Sequence, residues 1–258
     1  MLGFVKGILC DLDGILYVGD EPIKKVAGEL LKYTKMGDIK IRYLTNTTRV
    51  SQQQLLEKLL SMGIPAELNE IISPPSVAVD YLKQQGIQNI HLCVRDDIKS
   101  YFKDFRNTKH GTQAIVIGDI GHKWSYGLMN TLFRILKHNR SVELIALHKN
   151  RFLTRGDGLG LDIGPFVAAL EYAANQEALV VGKPSAAVFE HAVQHIGLPK
   201  ESLIMIGDDL DSDIIGAQNV GIKSVLVKTG KYDMAYSDRS PIKPDFIFDD
   251  ISKVLTAF

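Results

Sequence analysis

What this chain lacks excludes several classes of function. Its thirty basic and thirty acidic residues cancel, so no net field draws it to nucleic acid or to an anionic membrane surface. No apolar run approaches the roughly 20 residues that span a bilayer, and no leader-like stretch stands at the start. Cysteine is nearly absent: Cys10 and Cys93 lie far apart and make no metal-ligand pattern. Together these absences predict a cytoplasmic protein in a reducing compartment, with Cys10 packed as a small apolar residue. The one tryptophan, Trp124, is expected to pack rather than to act as a stacking platform. There is no repeat, low-complexity tract or lipidation signal. What remains is 258 residues, 45% of them hydrophobic, enough for one large core or two smaller ones.

The most informative stretch is residues 4–14, Phe-Val-Lys-Gly-Ile-Leu-Cys-Asp-Leu-Asp-Gly. Residues 4–10, apolar but for Lys6 and Gly7, read as a buried strand of a parallel sheet. The run ends in Asp11 and Asp13, then Gly14, where the chain can turn sharply. Strand alternation sends Asp11 and Asp13 to one side and Leu12 back to the sheet. Open parallel sheets bind ligands beyond the carboxyl ends of their strands. Two close carboxylates there require compensation, most simply a hard cation with oxygen ligands. A solvated turn uses the same residue types, so the rest of the chain must decide.

Beyond the turn, residues 23–36 show helical spacing, with Gly37 as a stop. Residues 39–44 form a second apolar strand that ends in Thr45 and Asn46. Helices are predicted over 51–62, capped by Ser51, and over 75–85, with proline in the first turn. This β-α-β-α order is the doubly wound signature. The rhythm then changes. Strands are predicted at 90–94, 114–117 and 143–146, a polar stretch over 95–111, helices at 126–137 and 166–174, and a short strand at 178–181. Residues 86–176 are read as an inserted module. After Gly182-Lys183-Pro184 the earlier rhythm returns, with helices at 185–196 and 212–219, strands at 203–206, 223–227 and 245–248, and a terminal helix. The expected fold class is α/β: a Rossmann-like, doubly wound parallel-sheet core from residues 1–85 and 177–258, interrupted by an α/β insert.

Complementary chemistry stands at other strand ends. Thr45 and Asn46 are neutral donors suited to phosphoryl oxygens, Lys183 supplies a fixed positive charge, and the strand at 203–206 is followed by Asp208, Asp209, Asp211 and Asp213. Taken singly, these are a capping turn, a surface lysine and a solvated acidic turn. Taken together, carboxylates, one lysine and a Thr-Asn pair at sheet ends fit Mg2+ and a phosphate dianion.

In order, Asp-Leu-Asp-Gly (11–14), Leu-Thr-Asn (44–46), Gly-Lys-Pro (182–184) and Gly-Asp-Asp-Leu-Asp-Ser-Asp (207–213) resemble the four motifs of the haloacid dehalogenase superfamily. The insert resembles the α/β cap of the branch that holds nucleotide, phosphoglycolate and pyridoxal-phosphate phosphatases, most clearly at residues 146–152 and 164–173. The resemblance covers nearly the whole chain. It implies a Mg2+-dependent phosphatase of small phosphorylated molecules that works through an aspartyl-phosphate. Asp11 would be the nucleophile and Asp13 the general acid and base. The metal would sit on the Asp11 carboxylate, the Asp13 carbonyl and Asp208, and Thr45, Asn46 and Lys183 would hold the phosphoryl group. Gly14, Asp209 and Asp213 would support, Asp213 by orienting Lys183 or a metal-bound water. His148 and Arg151 in the insert are candidate substrate contacts, and caps of this type imply a homodimer. The alternatives are a phosphotransferase of the same superfamily and a non-catalytic phosphate-binding or switch protein. A carbon–halogen hydrolase needs neither Asp13 nor Asp208.

Other features carry less. Gly156, Gly158 and Gly160 lack dinucleotide-binding spacing and are read as a mobile loop of the cap. Asp209, Asp211 and Asp213 alternate like a calcium loop, but Ile214 and Val220 stand where its glycine and glutamate belong. His191 and His195 are one helical turn apart without a third ligand, and are read as surface groups.

Overall fold

The strand Gly7–Asp11 is the pivot of the structure, a computed structural model that describes residues 2–23, 26–36, 39–155 and 158–258, without the side chains of 33–36, 154 and 155. Ile8, Leu9 and Cys10 are almost wholly buried, as a strand covered on both faces must be. It begins later than the apolar run suggests because Val5 N–H closes a turn on Leu2 O at 3.0 Å, which leaves Phe4 exposed.

Six parallel strands form the first sheet, in the order Phe246–Phe248, Lys223–Val227, Leu203–Gly207, Gly7–Asp11, Lys40–Leu44, Ile71–Ile72. From the pivot the chain winds outward to one edge through 40–44 and 71–72. Later it returns on the pivot's other side and winds to the opposite edge. The winding direction reverses at the first strand, and crevices that bind ligands open at the carboxyl ends of such a switch point. The sheet, the helices Val26–Met36, Gln52–Ser61 and Ala186–Ile196, and the C-terminal segment belong to one unit, Met1–Thr45, Gln52–Ile72 and Lys183–Phe258.

The second unit, Asn46–Ser51 and Ser73–Gly182, has its own five-stranded parallel sheet. Its order is Leu179–Val180, Glu143–Ala146, Ala114–Ile117, Asn89–Cys93, Arg106–Asn107. The helices Tyr126–His138 and Ile163–Ala174 bury Leu132, Leu136, Val167 and Leu170 with Ile115, Ile117, Leu144 and Ala146 of that sheet. Trp124 stacks on Phe166 with ring centroids 4.3 Å apart, a packing role as expected.

The structure departs from the sequence expectation in identifiable places. The insert was expected at 86–176, yet helix Pro74–Gln84 already belongs to the second unit. Tyr81 OH donates to Glu143 Oε2 at 2.7 Å, and Ser73 Oγ lies 3.4 Å from Tyr101 OH. The polar stretch 95–111 holds a helical turn, Asp96–Phe102, because Ile98 and Phe102 are buried beneath its charged residues. The stretch read as a mobile loop around Gly158 is flanked by an antiparallel pair, Phe152–Arg155 with Gly158–Leu161. Gly156 and Asp157 between them lie outside the described residues, as does the stop expected at Gly37. A helix at Met234–Arg239, capped by Asp233 on Tyr236 N–H at 3.0 Å, had not been anticipated.

Candidate active site

Asp11 is the last residue of the pivot strand, in register with Leu44 on the neighbouring strand. Leu12 is buried and Asp13 exposed, the alternation a strand end imposes. From the loop before helix Ala186–Ile196, Lys183 runs into the same place. Its Nζ lies 2.7 Å from Asp11 Oδ1, 2.6 Å from Asp213 Oδ1 and 3.3 Å from Leu44 O. Lys183 is 3% exposed and Asp213 is fully buried. Burial alone would strip the proton from the ammonium, but Asp11 and Asp213 outweigh it and hold the Lys183 pKa above its ordinary value. Asp213 reaches this position on the turn Leu210–Ile214, whose first N–H groups close on Asp209.

Asp208 follows the strand Leu203–Gly207 directly. Its Oδ2 accepts from Lys231 N–H at 2.7 Å, while Oδ1 is buried and, among the described residues, has no hydrogen-bond partner. Asp11, Asp208 and Asp213 can each offer one oxygen, all within 4.8 Å of one another. One buried ammonium among three carboxylates leaves the site short of positive charge. Burial accordingly raises the Asp208 pKa to about 6, and burial also raises Asp11 and Asp213, against the opposing pull of Lys183. An orphaned carboxylate oxygen beside two further oxygen donors fits a small hard dication, and soft-metal ligands are absent from this set.

Of the residues expected in the site, Asp11, Lys183, Asp208 and Asp213 converge. Gly14 packs directly on Asp208: a Cβ there would overlap Asp208 Oδ2. Thr45 is buried at the end of Lys40–Leu44, its N–H donating to Ile72 O at 3.0 Å. Asp209 pairs with Lys231 Nζ at 3.0 Å rather than entering the carboxylate cluster, because its side chain caps Asp211 N–H. Asp13 is exposed, and its carboxylate is not one of the three. Asp211 accepts from Tyr236 OH at 2.8 Å, and His195 Nδ1 accepts from Arg42 Nε at 2.9 Å, so neither group is spare.

Asn46, His148 and Arg151 belong to the second unit. Arg151 is exposed. His148 is not a surface group: it is buried, with Nε2 3.5 Å from Thr48 Oγ1 and 3.8 Å from Asp162 Oδ1. Burial lowers its pKa against the pull of Asp162 and Asp119, which keeps the ring neutral. Asp119 beside it accepts from Arg49 Nε at 3.2 Å and Nη2 at 3.1 Å, and from Gly121 N–H at 2.8 Å. Sequence reasoning did not single out Arg49, Asp119 or Asp162. In the first unit it also missed Thr229, Gly230 and Lys231, although Gly230 after an apolar strand was a signal of the same kind as Gly14.

Comparison with known proteins is consistent with this geometry. Residues 8–106 match the family described as haloacid dehalogenase-like hydrolase, and residues 180–254 a related hydrolase family of the same type. The phospholysine phosphohistidine inorganic pyrophosphate phosphatase of Bos taurus is 35% identical over 257 residues, covering 98% of this chain and 94% of that protein. The haloacid dehalogenase-like hydrolase domain-containing protein 2 of Bos taurus is 38% identical over 235 residues, 91% of this chain and 88% of that protein. A solved p-nitrophenyl phosphatase from Archaeoglobus fulgidus superposes with a TM-score of 0.89 at 24% identity, over 98% of this chain and 99% of that one, which establishes the fold. With near-complete coverage at this identity, and with the acidic cluster in place at the switch point, the chain belongs to the haloacid dehalogenase-like hydrolases.

Proposed function

We propose that this protein is a Mg2+-dependent phosphatase of small phosphorylated molecules, acting through an aspartyl-phosphate on Asp11. The observation that carries the reading is the charge-deficient cluster: three carboxylates gathered together, two of them on one buried lysine, with Asp208 Oδ1 buried and, among the described residues, without a hydrogen-bond partner. The name of one relative, a phosphatase of phospholysine, phosphohistidine and inorganic pyrophosphate, extends the substrate class to phosphoamides and pyrophosphate.

Asp11, the Asp13 carbonyl and Asp208 would hold Mg2+, which when bound neutralises the carboxylates and withdraws charge from phosphorus. Asp11 attacks phosphorus; its oxygen–phosphorus bond forms as the bond to the leaving group breaks. Asp13, exposed and free of the cluster, gives its proton to the leaving oxygen or nitrogen, then takes one from the water that hydrolyses the intermediate. Lys183, pinned by Asp213, and the donors Thr45 and Asn46 hold the non-bridging oxygens. Arg151, an exposed cation of the second unit, is the candidate for substrate selection, while His148 is buried within that unit. The same reading includes a cytoplasmic enzyme, consistent with no helix among the described residues being long and apolar enough to cross a membrane. It also includes a homodimer through the second unit, where Phe152, Leu159 and Leu161 are exposed.

Hydrolysis of an aryl phosphate by wild type and Asp11→Asn, with Mg2+ and with chelator, tests the reading. Turnover that requires Mg2+ and vanishes in the variant is expected. Undiminished turnover in Asp11→Asn would remove Asp11 as the nucleophile and sink the mechanism.

A further inference from the structure

We infer that the loop Thr229-Gly230-Lys231, which no sequence motif marked, is the positioning element that aims Asp208 at its cation. The inference rests on the metal-dependent reading above and adds residues to it. A carboxylate with one oxygen fixed has the direction of the other determined as well. Lys231 N–H holds Asp208 Oδ2 at 2.7 Å, which leaves Oδ1 buried and, among the described residues, without a hydrogen-bond partner.

The remaining contacts fix the carboxylate from both sides. Gly14 and Gly230 have positive φ, +85° and +56°. A Cβ at either position would overlap Asp208 Oδ2, and one at Gly230 would also lie 2.5 Å from Gly14 Cα. The carboxylate is thus wedged between two glycine backbones, where no larger residue fits. Thr229 closes the wedge: its Oγ1 donates to Gly14 O. The loop is anchored in turn, with Lys228 N–H on Phe248 O and Tyr232 N–H on Thr229 O, both at 3.0 Å. Three strand ends are therefore tied together at Asp208: the turn after Gly7–Asp11, the end of Leu203–Gly207, and the loop after Lys223–Val227. Ligands to hard cations depend on such supporting hydrogen bonds for their orientation.

Lys231 separates the two contributions of the loop. Its backbone N–H orients Asp208, whereas its exposed side chain pairs with Asp209. The positioning role belongs to the backbone, so the ammonium is dispensable for it.

The test is Mg2+ affinity, measured by calorimetry on the full chain, with melting temperature in chelator as a control for fold. Thr229→Val, isosteric but without the donor, should weaken Mg2+ binding about 3- to 10-fold and leave the chelator melting temperature near wild type. In turnover assays its loss should appear in the Mg2+ concentration required, and Thr229→Ser should recover it. Gly230→Ala should weaken binding further, and Thr229→Val carries the test if that variant does not fold. Lys231→Met should bind Mg2+ at least as tightly as wild type. Wild-type affinity in a folded Thr229→Val overturns the positioning role, as does a Lys231→Met loss as large as that of Thr229→Val. If wild type binds no Mg2+, the metal-dependent reading fails first and this inference falls with it.

Discussion

Each unit holds a cluster of charged and polar side chains, and the clusters are built on opposite principles. In the second unit, exposed Arg49 pairs with buried Asp119, and buried His148 lies against Thr48 and Asp162. Asp119 has a guanidinium on one oxygen and a backbone N–H on the other, and the histidine is held neutral by burial. In the first unit, Asp11 and Asp213 share Lys183, Asp208 offers an oxygen within 4.8 Å of theirs, and among the described residues its Oδ1 has no hydrogen-bond partner. Buried polar groups that merely support a fold are paired. A buried cluster left with excess charge of one sign carries a standing cost that a bound proton or a bound cation relieves. The contrast supports the proposed reading of the first cluster as the working site, although both contain the residue types of active sites.

The hardest test of that contrast is Lys183→Met. Removing the single buried cation leaves Asp11 and Asp213 uncompensated, which should cost about 3–5 kcal/mol of stability in denaturant unfolding and abolish turnover. A loss near that of an ordinary surface ion pair would erase the distinction between the clusters.

The pH dependence of stability follows from the same imbalance. Because the folded-state pKa of Asp208 is about 6, above its ordinary value, the fold binds that proton more tightly than the unfolded chain does. The contribution is fully present below the ordinary carboxylate value near 4 and is lost as pH rises through about 6, on the order of 2–3 kcal/mol. Asp213, raised by burial, acts in the same direction. In chelator, the melting temperature should therefore fall between pH 5 and pH 8, roughly the window these shifts define. Mg2+ at pH 8 should restore much of it; no response to Mg2+ would break the comparison.

Asp208→Asn sharpens it further by removing one uncompensated charge while preserving size. The variant should lose the melting-temperature rise with Mg2+, yet in chelator at pH 8 it should be more stable than wild type by about 1–2 kcal/mol. The smallest effect is expected in the second unit. Arg49→Met leaves Asp119 with its Gly121 N–H and should cost only about 1 kcal/mol, with no change in the Mg2+-induced shift.

Much of this was legible in the sequence wherever a single residue carries its chemistry in its side chain. Asp11, Lys183, Asp208 and Asp213 each stand close to an apolar strand or a glycine, and parallel sheets deliver such ends to one edge. Where function lies in the backbone, the sequence is mute: every residue but proline has a backbone N–H, so nothing distinguishes that of Lys231. Helix Pro74–Gln84 was placed in the wrong unit for a related reason, since its apolar stripe reads the same whichever sheet it covers.

By itself, then, the order of apolar runs, turns and charged residues determined an α/β chain with its chemistry at strand ends, because periodicity and residue type are local properties. Only the tertiary structure decided which carboxylates share one ammonium, which oxygen is left unpaired, and that His148 is buried against Asp162 rather than offered to solvent. Those are matters of distance between residues far apart in the chain, and local sequence does not encode distance.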